Sequence, residues 1–192
     1  MSSSPELQGP SPSYVQFVDM LYSVVIGMGF RDLATNMGLA KSPWGLWTLQ
    51  GFLFFFVLVI VTRDWVSYHK LIKKRMHIGN MRFVIDIAIL LSFYLMMLTA
   101  TSLSVEMPMF ALYAAAYSLF LLFWEIGELF EHGNDREVKR EFVWNLVYIA
   151  LFGGWAVLAW NSSQWASEKA AAGVFAAFLV LATVQWRMAP SS

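Results

Sequence analysis

Six ionisable side chains lie inside otherwise apolar runs: Asp19, Arg63, Asp64, Asp86, Glu125 and Glu128. A charge at the centre of a lipid-embedded helix costs about 2.5–3.5 kcal/mol on insertion scales, so such groups face a bundle interior, a watery path or an opposite charge. In the first apolar run Asp19, Ser23 and Gly27 recur at i, i+4 and i+8 and share one helix face. Val24, Met28 and Arg31 form the neighbouring face. The first face suits a buried packing anchor around Asp19 and Ser23. The second suits the lining of a narrow pore.

A second polar set closes the next apolar run, Arg63-Asp64-Trp65-Val66-Ser67-Tyr68-His69-Lys70. Trp65 and His69 share a face at i, i+4, as do Asp64 and Tyr68. Arg63 is placed to snorkel to the interface or to pair with Asp86 or a later acid. A third set, Glu125, Glu128 and His132, shares a face at the end of a later run. Carboxylates there would form an acidic vestibule that concentrates cations. Bundle di-metal proteins need Glu-x-x-His, yet the residue three before His132 is Leu129. Neither a metal site nor a cofactor is expected. No nucleophile–base set or Gly-rich phosphate loop is recognisable, and the Thr-Val-Gly-Tyr-Gly potassium filter is missing. The chain does not read as an enzyme.

Composition says what must position these residues. The 192 residues are 58% hydrophobic and 14% charged, against about 25% charged in a soluble domain, and this marks a polytopic membrane protein. Lys+Arg and Asp+Glu are both 13, which gives no reason to expect a nucleic-acid partner. Cysteine is absent, and with it disulfides and thiolate metal sites.

A membrane helix needs about 20 mostly apolar residues. Six runs qualify, over roughly 14–30, 44–69, 83–103, 107–130, 142–160 and 170–187. The expected fold is all-α, a six-span membrane bundle over 14–188 with a flexible N-terminal tail at 1–13 and a C-terminal tail at 189–192. Gly153-Gly154 and the small residues around Gly173 are expected to permit close helix approach. With six spans, nine cations fall on one side (Lys70, Lys73, Lys74, Arg75, Arg82, Arg136, Lys139, Arg140 and Arg187) against Arg31, Lys41 and Lys169 on the other. Cationic loops stay in the cytoplasm, which places both termini there.

The order of features resembles the six-helix bacterial relatives of the endolysosomal potassium channel family. That family carries a Phe-Ser-Asp motif early in helix one, here Phe17-Val18-Asp19, and a Trp-x-x-His-His-type end to helix two, here Trp65 to His69. Valine replaces the motif serine, Ser13 stands where an arginine is usual, and Tyr68 takes the first histidine position. The resemblance implies a homotetramer in a lipid bilayer that conducts monovalent cations, potassium first, through a pore lined by helix one. It implies that Val24 and Met28 constrict the pore while Phe17 and Asp19 hold the helix. Two other readings come from the residues alone: a non-conducting membrane scaffold or accessory subunit, and a small-solute transporter.

Overall fold

A computed structural model describes residues 12–36, 48–74, 80–102, 105–132 and 135–188. These form six helices: α1 Pro12–Asn36, α2 Leu49–Lys74, α3 Asn80–Ala100, α4 Met107–His132, α5 Arg136–Asn161 and α6 Gln164–Met188. No strand occurs among the described residues. The protein is all-α. At about 1.5 Å per residue, a helix of some 25 residues covers roughly 38 Å, enough to cross a hydrocarbon core of about 30 Å.

Five helices, α2 to α6, are long and apolar enough to cross a membrane. Helix α1 has the length, but Asp19, Arg31 and Asp32 and its two glycines thin its apolar content. The six expected spans therefore become five by length and composition, with α1 docked against α2 and α3. Helix α1 also takes in residues 12 and 13, expected to belong to the tail. Residues 1–11 and 189–192, the rest of the expected tails, lie outside the described residues, as do the side chains of Lys70, Lys73, Lys74, Arg75, His77 and His132.

Helix α4 is central and packs on α3 and α5, while α6 lies outermost on α5 with a lesser contact to α4. Phe56 of α2 is the core's hub. Its ring lies 4.7 Å from that of Phe175 and 5.8 Å from that of Phe178, both on α6. Its other neighbours are Phe110 of α4 and Phe152 and Trp155 of α5. Offset and tilted ring pairs at such spacings contribute about 0.5–1.5 kcal/mol each beyond burial. Lipid tails are as apolar as leucine, so close packing of this kind has to supply what hydrophobic exclusion supplies in water.

The charged ends of helices extend past the apolar runs. Helix α5 starts at Arg136, six residues before its apolar run, because Asp135 caps it: its carboxylate accepts the Glu137 N–H at 2.8 Å. An N-cap satisfies a backbone donor that the helix itself leaves free. One glycine is required by contact. A Cβ on Gly29 would overlap Met97 of α3 and lie 3.1 Å from Phe54 of α2. Gly153, Gly154 and Gly173 have nothing among the described residues within 4 Å of such a Cβ, so none of the described helices uses them for close approach.

Candidate functional site at the polar end of the bundle

The polar groups of all six helices meet near one end of the bundle. Contacts show why: the start of α1 meets the end of α2 and the start of α3, the start of α3 meets the end of α4, and the start of α5 meets the end of α6. Antiparallel alternation thus gathers residues that are far apart in sequence.

Asp19 is the first junction. Its Oδ1 accepts the Trp65 indole N–H at 3.0 Å and lies 3.2 Å from His69 Nε2. The other ring nitrogen, Nδ1, faces the Trp65 carbonyl at 3.0 Å, which fixes the ring plane. The Trp65 and His69 rings lie tilted against each other, with centroids 4.7 Å apart. The i, i+4 pair that the sequence places on one α2 face thus clamps the helix-one acid, with Trp65 as donor. Among the described residues Ser23 bonds to the Asp19 carbonyl of its own helix, at 2.9 Å, a local bond within α1. Phe17 lies against Phe83 of α3, centroids 5.9 Å apart.

A second junction joins Asp64, singled out in the sequence, to tyrosines that sequence patterning did not select. Asp64 Oδ2 accepts the hydroxyl of Tyr22 of α1 at 2.6 Å, and Oδ1 accepts that of Tyr117 of α4 at 3.2 Å. Both tyrosines are buried, at 5% and 1% exposure. The Tyr14 hydroxyl likewise donates to Asp86 of α3. Tyrosine gives little advance signal, because its ring fits any apolar face and the hydroxyl matters only where an acceptor meets it.

Arg63 takes a different partner from those expected. It donates to the Gln185 side-chain carbonyl of α6 and lies 4.8 Å from the Tyr148 ring centroid and 5.5 Å from that of Phe178. Tyr148 donates to the same Gln185 oxygen at 2.9 Å, and the Gln185 amide donates to Glu141. Asp86 and the α4 acids lie elsewhere.

The vestibule acids are buried. Glu128 is 1% exposed and paired with Arg82 Nη2 at 2.5 Å, while Glu131 meets the same nitrogen at 2.8 Å. Arg82 also sits over the Trp124 ring at 4.7 Å. Glu125 is buried as well. In the single chain Glu128 is neutralised by Arg82 and presents no open acidic surface. No cluster of three or more His, Asp or Glu able to hold a metal occurs among the described residues.

Helix α1 divides sharply. Val18, Tyr22, Gly29 and Leu33 form its buried side, and Met20, Ser23, Val24, Gly27 and Phe30 its exposed arc. Val24 is 48% exposed and Met28 half-buried at the edge of that arc. Arg31, on the same arc, is paired with Asp32 at 2.8 Å.

No family model, curated protein or solved structure matches this chain. Geometry and residue chemistry therefore carry the functional reading.

Proposed function

We propose that this protein is an oligomeric ion channel of the inner or plasma membrane. Four copies surround a pore lined by α1, which is the sixth span, and both termini are cytoplasmic. Potassium is the favoured ion. The observation that carries the reading is the division of α1: one side is fastened by Asp19, Tyr22 and Gly29, and the opposite arc, bearing Val24, lies exposed.

An arc with serine, glycine and arginine is poorly suited to lipid contact and well suited to copies of itself around a watery axis. Valine and methionine side chains projecting into a narrow pore form an apolar constriction, which gates by wetting and dewetting. Asp32 offsets Arg31 at the far end of the arc, so a ring of arginines there carries a matching ring of acids. Met28, at the arc's edge, completes the constriction through a change of rotamer.

The test is potassium flux into liposomes carrying equal amounts of protein. Val24→Asn and Met28→Asn put a polar group in the constriction and are expected to raise flux several-fold. Unchanged flux in both variants removes α1 from the pore. Subunit counting of the purified protein tests the tetramer, and a monomer without flux would favour the scaffold reading.

A further inference from the structure

We propose that Asp64 is a positioning residue that sets the rotation of α1, and through it the selectivity of the pore, by clamping Tyr22 of α1 and Tyr117 of α4 with its two carboxylate oxygens. The inference rests on the channel reading above and adds to it the residue that aims the constriction.

Three observations carry it. Asp64 is the point where α1, α2 and α4 are joined by side-chain hydrogen bonds, at 2.6 and 3.2 Å. Both tyrosines are buried among apolar neighbours: Tyr22 packs on Tyr68 and Phe93, and Tyr117 on Phe93. Their rings therefore have little freedom to follow a moving partner. Tyr22 and Val24 are two residues apart, so they project about 200° apart around the helix axis. Fixing Tyr22 inward turns Val24 outward.

The Asp19 clamp cannot do this alone. Asp19 lies at the edge of the α1 contact, about 60° from Tyr22 around the axis, and its partners Trp65 and His69 are partly exposed. One attachment leaves a helix free to roll about it, whereas a second at a different angle removes that freedom. Two hydroxyls from different helices leave Asp64 a single orientation.

Because the chain lacks cysteine, paired spin labels at Val24→Cys and Leu119→Cys, diluted with unlabelled protein, report the rotation of α1 against α4 in liposomes. A single narrow distance is expected in the otherwise unsubstituted chain. Tyr22→Phe removes one hydroxyl and keeps the ring, and Asp64→Asn keeps the side-chain shape, so both are expected to fold. Each should broaden or shift the distance. In label-free protein each should change the potassium-to-sodium flux ratio by about threefold or more, the lower end of what an ordinary intramolecular hydrogen bond contributes. Tyr117→Phe should have a smaller effect of the same sign.

Unchanged distances in both Tyr22→Phe and Asp64→Asn overturn the inference. So does a shifted distance with an unchanged flux ratio in a conducting chain, since the clamp would then hold α1 without setting what passes. Shifted distances with no flux in the unsubstituted protein would overturn the pore reading and leave the clamp on α1 standing.

Discussion

Arg63 and Asp64 are consecutive in α2 yet fasten opposite halves of the bundle. Asp64 holds Tyr22 of α1 and Tyr117 of α4, while Arg63 reaches Gln185 of α6 between the Tyr148 and Phe178 rings. Successive helical residues project about 100° apart. One dipeptide therefore serves two interfaces, and α2 is the strut between the side bearing α1 and the side bearing α6.

The α6 side should be the weaker of the two. Helix α6 is the least buried of the five apolar helices, so the Gln185 junction carries much of its attachment. Gln185→Leu is expected to cost about 1.5–3 kcal/mol, the range for hydrogen bonds to charged groups. Arg63→Met should cost a similar amount. The double variant should lose less than the sum of the two, because both changes remove the same bond. Reversible unfolding in mixed micelles measures all three.

Arg82 should matter more than either of its acids. Replacing Arg82 with Met leaves Glu128 and Glu131 without their shared cation, and breaking a buried pair from one side costs about 3–5 kcal/mol. Glu128→Gln leaves Arg82 with Glu131 and should cost less than half as much. Thermal denaturation in detergent gives the order. A larger loss from Glu128→Gln would show that Glu131 does not share the charge.

The Asp19 clamp predicts a ranking of variants. Trp65→Phe removes one donor and should loosen α1 modestly, by about 1 kcal/mol, as for a typical intramolecular hydrogen bond. Asp19→Ala removes the partner of two side chains and should loosen it further. Proteolysis near the start of α1, timed in liposomes, reports this, and equal rates for the two variants would place the anchor elsewhere.

Much of the fold was legible in the chain, and much of the site was not, for physical reasons that individual residues show. Apolar runs locate α2 to α6 because lipid exposure demands them. The ends are missed where charged turns continue a helix into water, as at Arg136 under its Asp135 cap. The shared face of Trp65 and His69 could be read from helical spacing, and the structure brings both to Asp19. Arg63 and Glu128 could be recognised as costly but not paired, since pairing depends on which helices become neighbours. Gln185 and the tyrosines carried no signal, because an amide or phenol in an apolar run is cheap enough to need no partner in advance.

Gly27 and Gly29 give the last contrast, two glycines on different sides of one helix. A side chain on Gly29 meets Met97 and Phe54, whereas a Cβ on Gly27 meets nothing within 4 Å. Gly29→Leu should overpack the α1–α3 contact and cost about 1–3 kcal/mol, the usual range for inserting methylenes into a packed interior. Gly27→Ala should be neutral in a lone chain, or stabilising by up to about 1 kcal/mol, because alanine is the better helix former. If copies of α1 meet across the exposed arc, Gly27→Leu should lower the assembled fraction on native gels while leaving monomer stability in place. If the arc faces lipid alone, Gly27→Leu should leave assembly as it was.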